Sequence, residues 1–503
     1  MKIARRRACR FNLMNARMNE RPDGGALKPR SLAGRLSLFF SSGKRLIAAA
    51  ALFHIALAVG LFCAGRAQVA PRFLDRDAII VGSDSYEYQA GAARLAEVLK
   101  KDGLRAWAVT PERAHVKLIS LQFAVLSPLF GYSALSAEPF NLFCYVAILS
   151  LVLLLGREVG GRRAGLRAAC IVALWPTFLL HTTQLLKDPL FIAAALALIL
   201  VVTTWLTRTY SWVNAVGMGA FMAVAMGALL LIRVKFGAII FVIVLLGFAL
   251  LVVRQLIERR WLYWNMVSPV LILCAGGLAL SFLTTGQEKY KQHPSGGVGP
   301  HKFVAMPGRQ VPAAISYVRR AAAPKTPRGD AGRLSALTKA VVFGIGGARY
   351  KYNVGYPKSG SAIDRNVEFN NLKSLILYLP RAFAIGFFAP FPNTWIGTGQ
   401  SVGGAGRVLS GAETLAMYLC ELLVFVGIWR SPRCLPSWLL LLIAAFGVTV
   451  LGLVVSNVGT LYRFRYLFWI LLIILAAKSL ENIFAGLRAP EIGDRPAGEH
   501  LTK

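Results

Sequence analysis

Apolar runs of about 20 residues recur along this chain, and they constrain its fold more than any other feature does. A helix of that length crosses the hydrocarbon core of a bilayer. Hydrophobic residues make up 56% of the 503 residues, which suits a membrane bundle better than a set of soluble domains. The sequence therefore predicts an all-α polytopic membrane protein of about 10 transmembrane helices, or about 12 if two shorter apolar segments also cross.

The chain is strongly basic, with 57 Lys and Arg residues against 23 Asp and Glu and a net charge of +34. In a membrane protein, Lys and Arg keep cytoplasmic loops inside and contact anionic lipid headgroups. We therefore predict membrane lipids as partners and no nucleic acid. The seven cysteines are scattered and form no CxxC pair, so the sequence indicates neither a cysteine metal site nor a disulfide framework.

The positions of the basic residues predict which side of the membrane each loop faces. Four arginines fall within 156–167, and such clusters mark cytoplasmic loops. This orientation places the first loop, 66–135, outside and makes the short apolar segment 115–130 an interfacial or re-entrant helix. The predicted spans are 46–65, 137–156, 165–184, 189–206, 211–232, 236–253, 261–284, 412–429, 437–455 and 462–482.

The remaining segments divide the chain into modules. Residues 1–45 are polar and basic, and the first apolar run begins too late for a typical signal peptide, so we predict a disordered cytoplasmic tail. An N-terminal transmembrane module follows over 46–284, and then a long periplasmic loop over 285–373. Residues 374–482 comprise a second interfacial helix, at 375–391, and the last transmembrane helices. A second cytoplasmic tail occupies 483–503.

The segment 81–92 is the clearest chemical hint, because it is acidic and aromatic within a basic chain. Asp84, Glu87 and Tyr88 are three or four residues apart and share one face if the segment opens a helix. Either Ser83 or Asp84 can cap that helix, since a short side-chain oxygen accepts hydrogen bonds from the free amides of the first turn. The predicted apolar stripe of the helix is Ala92, Leu95, Ala96 and Leu99.

Other charged residues are predicted to lie on the same outer surface. They are Lys187, Asp188, Arg233, Lys235, Arg463 and Arg465. Singly, each is explained as well by an anchoring role, in which a charge at the end of a span reaches the headgroups. Together they combine carboxylates suited to acid–base catalysis with cations that can bind a lipid phosphate.

A series of motifs runs through most of the chain outside the long loop. They are Gly-x-Asp-x-x-x-Tyr at 82–88, Phe-Gly at 130–131, Gly-Arg-Arg-Ala-Gly at 161–165, Trp-Pro at 175–176, Lys-Asp at 187–188, and Asn-x-Gly-Thr-x-x-Arg-x-Arg-Tyr at 457–466. In this order they resemble the GT-C superfamily of polyprenol-phosphate-sugar-dependent glycosyltransferases. That superfamily includes the dolichyl-phosphate-mannose protein mannosyltransferases and the bacterial aminoarabinose transferases. The chain departs from it in carrying Asp84-Ser85 rather than a paired Asp-Glu.

The resemblance implies transfer of a sugar from a polyprenyl-phosphate-linked donor to a glycan, lipid or protein acceptor. It also implies a GT-C-like bundle in the bacterial inner membrane, with the active site on the periplasmic side and interfacial helices in the first outer loop.

In such enzymes the first-loop carboxylate is the general base on the acceptor hydroxyl, or helps to ligate a metal. Asp84 occupies that position here, although a capping role alone is the simpler alternative. Asp188 is a second catalytic candidate, and alternatively a charge favoured by a helix N-terminus. The candidates to bind the donor phosphate are Lys187, Arg463, Arg465 and Lys235. The motifs establish no cofactor. They leave open whether the enzyme requires a divalent cation, Mg²⁺ or Mn²⁺.

The segment 349–356 of the long loop is rich in tyrosine, whose ring can stack on a sugar. Arg349 and Tyr352 are therefore candidates for acceptor binding, together with Glu87 and Tyr88 as acceptor-site or supporting residues. A loop that packs onto the bundle is an equally simple interpretation. The histidines show no ligand spacing, so we predict no histidine metal site.

Two other function classes remain open. An O-antigen polymerase- or ligase-type enzyme would depend on outer-loop arginines more than on Asp84. A flippase or transporter of polyprenyl-linked sugars would show charges or broken helices at the bilayer midplane, often in two repeated halves, whereas this sequence shows no repeat. The distances among Asp84, Asp188 and Arg463 test the glycosyltransferase interpretation. A separation above about 15 Å would count against one shared catalytic site.

Overall fold

The computed structural model describes residues 42–80, 84–232, 237–292, 333–355, 361–396 and 403–488. Within them the chain is helical, with 16 α-helices, short 3-10 turns and no β-strand beyond isolated bridges. The helices are α1 Gly43–Arg66, α2 Ser85–Val109, α3 Ala114–Phe130, α4 Glu138–Gly160, α5 Arg162–Ala173, α6 Pro176–Thr182, α7 Asp188–Thr207, α8 Trp212–Ile232, α9 Gly237–Glu258, α10 Tyr263–Gln292, α11 Arg333–Gly355, α12 Leu372–Phe388, α13 Gly403–Arg430, α14 Leu435–Val454, α15 Val458–Phe464 and α16 Tyr466–Arg488.

Seven helical segments are long and apolar enough to cross a membrane, and the bent pair α5–α6 would make eight. They are Gly43–Arg66, Leu135–Gly160, Asp188–Thr207, Ile239–Glu258, Gly403–Arg430, Leu435–Val454 and Tyr466–Phe484. The chain is thus a multi-pass helical membrane protein, as predicted, but the count of about 10 to 12 spans is not confirmed. α8 and α10 contain the apolar segments Trp212–Gly227 and Tyr263–Leu278, which are shorter than the seven candidate spans.

The predicted single span 165–184 is broken into α5 and α6, which bend by 70° relative to each other. Pro176 is the first residue of α6, and Trp175 before it has an extended backbone. Proline has no amide hydrogen to donate and disfavours helical geometry in the residue before it, so α5 cannot continue. The break turns the chain toward Asp188.

The helix ends form two polar ends of the bundle. At one end, Arg167 lies 2.7 Å from Glu481, and Arg208 lies 2.7 Å from Glu158. The arginine-rich turn predicted to be cytoplasmic belongs to this end, which we call the arginine end. At the other end, the starts of α2 and α7 meet α15; we call it the Asp84 end.

The first loop folds as a helical hairpin of α2 and α3 at the Asp84 end. Of the predicted stripe, Ala92, Leu95 and Ala96 are buried and Leu99 is half-buried, so the predicted helix is confirmed. It runs on to Val109, beyond a kink at Gly103, where φ is +82° and favours glycine. The hairpin core also contains Leu185 and Leu186, which attaches it to the segment before α7.

Glycines allow α12 and α14 to pack closely, because a missing side chain lets two backbones approach. Gly386 of α12 contacts Val448 of α14, and Gly452 of α14 contacts the carbonyl of Ala382. These two contacts make α12 antiparallel to the C-terminal half of α14. The predicted interfacial helix at 375–391 is therefore packed along a bundle helix.

Some predictions fall outside the described residues. These are the tail at 1–41, Gly82 of the first motif, Arg233 and Lys235, the parts 293–332 and 356–360 of the long loop, and the C-terminal residues 489–503. Within the predicted long loop, the structure differs from the sequence interpretation by containing the 23-residue helix α11. The tyrosine-rich segment therefore lies mostly at the end of a helix.

Candidate active site

Arg463 lies between two carboxylates at the Asp84 end. Its Nη2 donates to Asp84 Oδ2 at 2.6 Å, and its Nε lies 3.4 Å from Asp188 Oδ2. These three residues come from α15, the residue before α2, and the first residue of α7, so the site joins distant parts of the chain. The distances are far below the separation that would have excluded a shared site.

The two carboxylates differ in exposure. The Asp84 side chain is 36% exposed and that of Asp188 is 7% exposed, while the Arg463 side chain is 14% exposed. Asp84 occupies the N-cap position of α2, but within the described residues its carboxylate makes no capping hydrogen bond and instead binds Arg463. Capping alone therefore does not account for Asp84.

Electrostatics keep the arginine charged. Burial alone would lower the pKa of Arg463, but the adjacent Asp188 and Asp84 carboxylates offset this and hold its pKa above the ordinary value. Among the described residues, Nη1 of Arg463 donates to no protein acceptor. A charged guanidinium whose Nη1 has no protein acceptor can bind an anion beside the two carboxylates.

Tyr88 lies next to this group and holds cations over its ring. Lys187 Nζ is 5.8 Å from the ring centroid and the Arg113 guanidinium is 5.6 Å from it. Arg113 also pairs with Glu87 at 2.8 Å on the exposed side. Burial, followed by the charge of Asp84, raises the pKa of Tyr88 to about 12, so its hydroxyl stays protonated. Cations near the ring make Tyr88 better suited to placing Lys187 than to stacking on a sugar.

Gln184 joins the segments that carry the two carboxylates. Its side-chain oxygen accepts from the Ile80 amide at 2.9 Å, and its side-chain nitrogen donates to the Ala78 carbonyl at 3.2 Å. Gln184 is four residues before Asp188, and Ile80 is four residues before Asp84. These hydrogen bonds therefore fix the two approaches to the site relative to each other.

Arg465, predicted to bind phosphate, lies elsewhere. It is fully buried, its Nη1 donates to the carbonyls of Gly386 and Phe387 at 3.1 and 3.4 Å, and its guanidinium lies 4.0 Å from the Trp469 ring centroid. The structure does not bring it to Asp84 or Asp188. Its position joins α16 to the end of α12, and phosphate binding stays a prediction for it.

Arg349 is also buried away from the carboxylates. It donates to the carbonyls of Leu453 at 2.9 Å and of Asp364 at 2.7 Å, and so binds the C-terminal end of α14. Tyr352, one helical turn later, packs against the main core. The structure therefore does not place these two candidates beside Asp84, and acceptor binding stays a prediction for both.

Two buried polar groups were missed from the sequence. Glu413 of α13 accepts hydrogen bonds from Thr177 and Tyr462, and Glu138 of α4 lies 2.7 Å from Nδ1 of His54 in α1. Their partners are between 49 and 236 residues away, so no local spacing could have indicated them. The only signal was a carboxylate or imidazole inside an apolar segment, which is costly without a partner.

The residues present do not fit a divalent-cation site as arranged. Asp84 and Asp188 are both bound to one guanidinium, and the described residues contain no group of three or more His, Cys, Asp or Glu that could hold a metal ion. Magnesium and manganese prefer several oxygen ligands. What the site offers instead is a partly exposed carboxylate beside fixed positive charge.

No family model matches the chain, and no curated protein matches it in sequence. Among solved structures it is similar to the oligosaccharyltransferase AglB of Archaeoglobus fulgidus in complex with an inhibitory peptide and a dolichol-phosphate, at 15% identity and a TM-score of 0.42, covering 88% of this chain and 50% of that one. It is also similar to the apo form of the Archaeoglobus fulgidus oligosaccharyltransferase, at 15% identity and a TM-score of 0.40, covering 87% and 51%.

A third similar structure is ArnT from Cupriavidus metallidurans bound to undecaprenyl phosphate, at 13% identity and a TM-score of 0.34, covering 86% of this chain and 78% of that one. The chain spans about half the length of the two archaeal structures. The three similar structures are thus two oligosaccharyltransferase structures and ArnT. At these TM-scores the likeness assigns neither a reaction nor a substrate to this chain.

Proposed function

We propose that this protein is a membrane glycosyltransferase that moves a sugar from a polyprenyl-phosphate-linked donor to an acceptor hydroxyl, with its active site at Asp84, Asp188 and Arg463. The observation that carries the proposal is the placement of Arg463 between the two carboxylates at one end of a membrane bundle. A base and an anion-binding cation beside the headgroup region are what transfer from a lipid phosphate requires. The resemblance of the sequence motifs supports the same reaction.

Asp84 is assigned as the general base because its carboxylate is the more accessible of the two. The acceptor oxygen forms a bond to the anomeric carbon as the bond from that carbon to the phosphate oxygen breaks. The acceptor proton passes to Asp84, and the bond electrons leave with the lipid phosphate. Asp188, almost fully buried, orients Arg463 and keeps it charged.

The leaving phosphate needs positive charge that is already in place. Nη1 of Arg463 can donate to it, and Lys187, located over Tyr88, is the second cation near the same carboxylates. Lys187 and Asp188 are neighbours at the start of α7. The residue that binds the phosphate and the residue that orients Arg463 therefore lie side by side.

We further propose that the Asp84 end faces the periplasm of a bacterial inner membrane. The support is charge: the turn at 156–167 and its arginines lie at the opposite end, where ion pairs such as Arg167–Glu481 occur. Clusters of arginine are retained on the cytoplasmic side. The acceptor, a glycan, a lipid or a protein, would then reach Asp84 from outside.

The test uses Asp84→Asn in isolated membranes supplied with labelled polyprenyl-phosphate hexose or pentose. Loss of the base is expected to lower transfer about 100-fold or more, the usual contribution of general base catalysis. The matched control is Glu112→Gln, an acidic residue of the same hairpin that pairs with Arg94. Full transfer by Asp84→Asn would refute the proposal, and dependence on arginines instead would favour a polymerase- or ligase-type enzyme.

A further inference from the structure

Glu413 is a buried carboxylate for which the proposed reaction has no use. It lies ten residues into α13, is 5% exposed, and belongs to a helix long and apolar enough to span the membrane. Taking a carboxylate out of water costs several kcal/mol unless it is well bonded. Such a residue therefore indicates a specific role for the contacts it makes.

The carboxylate of Glu413 accepts three hydrogen bonds from two elements. One oxygen accepts from the Thr177 amide at 2.8 Å, and the other accepts from the Thr177 hydroxyl at 2.5 Å and from the Tyr462 hydroxyl. The Thr177 amide is in the first turn of α6, where amides have no acceptor within the helix. Glu413 thus supplies to α6, from a different helix, the acceptor that a capping residue would supply.

Both partners of Glu413 lead directly to the candidate active site. Thr177 is the second residue of α6, and the end of α6 connects through a short segment to Asp188. Tyr462 is the residue before Arg463 on the short helix α15. One buried carboxylate therefore joins the element that leads to Asp188 with the element that carries its arginine partner.

A second layer of hydrogen bonds fixes the same junction. The Tyr466 hydroxyl donates to the Thr177 hydroxyl at 2.8 Å, and the Tyr466 ring lies edge-on to Phe178 of α6. His181 Nδ1 lies 2.7 Å from the Thr177 carbonyl. Because the Thr177 hydroxyl gives its one proton to Glu413, it can only accept from the Tyr466 hydroxyl, so the carboxylate sets the direction of both hydrogen bonds.

We propose that Glu413 is a positioning residue that holds α6 against α15 and so sets Arg463 in register with Asp188 and Asp84. The effect of Glu413 on catalysis rests on the proposed function, whereas its effect on the position of Arg463 does not. In Glu413→Gln the side-chain NH2 replaces one of the two acceptor oxygens, so it faces either the Thr177 amide, which can only donate, or the two hydroxyls that donate to the carboxylate. In either orientation at least one contact of the carboxylate is lost, and the junction between α6 and α15 loosens.

The test compares the cost of losing Arg463 in two backgrounds, by thermal unfolding of the full chain in lipid nanodiscs. Arg463→Met is expected to lower Tm by on the order of 5 °C in the wild-type background, because it leaves Asp188 buried without its arginine. In the Glu413→Gln background the same change is expected to lower Tm by less than about half as much. Equal costs in the two backgrounds would overturn the proposal.

Two controls separate a local displacement from general loosening. Glu421→Gln is the matched change two turns further along α13, on a half-buried glutamate with no hydrogen bond to α6 or α15 among the described residues; it is expected to leave the cost of Arg463→Met unchanged. Asp364→Asn breaks the pair with Arg381. It is expected to lower Tm by the same amount in the wild-type and the Glu413→Gln backgrounds. A change in that amount as well would mean general loosening and would also overturn the proposal.

Where Glu413→Gln does not fold, Tyr462→Phe is the second variant, because it removes only the hydroxyl that joins α15 to the carboxylate. It should likewise reduce the cost of Arg463→Met by about half or more, and an unchanged cost would again overturn the proposal. In the transfer assay, Glu413→Gln should lower kcat about 10-fold or more with KM for the lipid donor changed less than about twofold, as expected for a misplaced group. Absence of any transfer by the wild-type chain would refute the proposed function and leave the thermal result standing.

Discussion

Replacing Arg463 by methionine is the change whose size the structure defines best. It leaves the Asp188 carboxylate, 7% exposed, without its arginine, and removing one partner of a buried ion pair costs about 3–5 kcal/mol. Asp84 is 36% exposed, so solvent screens its share to about 1 kcal/mol or less. We therefore expect Arg463→Met to destabilise the fold by about 4 kcal/mol, most of it through Asp188.

The assay is thermal unfolding in nanodiscs of four chains: wild type, Arg463→Met, Asp188→Asn and the double variant. Once Asp188 is neutral, losing Arg463 no longer removes a positive partner from a buried charge, so the double variant should be more stable than Arg463→Met. The interaction energy of this cycle should be about 2 kcal/mol or more. Additive losses within about 0.5 kcal/mol would refute the reasoning that burial of Asp188 dominates.

Arg113→Met is the matched control. Its partner Glu87 lies 2.8 Å away, close to the 2.6 Å of Arg463–Asp84, but the side chains of Arg113 and Glu87 are 50% and 64% exposed. A pair so exposed contributes about 1 kcal/mol at most. Equal losses for Arg113→Met and Arg463→Met would show that burial is not what matters here.

Two further predictions concern acid and metals. Burial alone would raise the pKa of Asp364, but hydrogen bonds from Arg381 and Tyr378 hold it below its ordinary value, so its stabilisation is present above that value and lost as pH falls through the lowered pKa. Asp364→Asn should therefore lower Tm at pH 7, and this difference from the wild type should disappear as the pH falls below about 4, the ordinary pKa of an aspartate; a constant difference would contradict the assignment. Because Arg463 already binds both carboxylates, EDTA should change transfer by less than about twofold, and loss of transfer restored by Mg²⁺ or Mn²⁺ would contradict that.

The convergence of Asp84, Asp188 and Arg463 could be anticipated from the sequence, since alternation of the spans places their helix ends on one side of the membrane. The choice between Arg463 and Arg465 could not. Arg463 lies in the last turn of α15 and Arg465 is the residue between α15 and α16, and residues two apart do not face the same way on a helix. Only packing against Gly386 and Trp469 shows that Arg465 is turned into the bundle.

The break between α5 and α6 illustrates a different limit. Trp175-Pro176 is one of the sequence motifs, and the effect of proline on the preceding residue is local. A bend at this position can therefore be predicted from the sequence. The hydrogen bond from Thr177 to Glu413, in contrast, joins residues 236 positions apart, and nothing local indicates it. Hydropathy described 165–184 as one span because the apolar content is continuous across the break.

The pairing of Asp84 with Arg463 leads to a last prediction, on the lipid carrier alone. A phosphate bound at Nη1 of Arg463 shares the positive charge of the guanidinium with Asp84, so Asp84→Asn should bind polyprenyl phosphate more tightly while losing transfer. An exposed ion pair contributes about 1 kcal/mol, which corresponds to roughly a fivefold lower Kd. The measurement is binding of polyprenyl phosphate in nanodiscs, with Glu112→Gln as the control. Weaker binding by Asp84→Asn would mean that Asp84 holds Arg463 ready for the phosphate; tighter binding would mean that the donor itself releases Asp84 to act as the base.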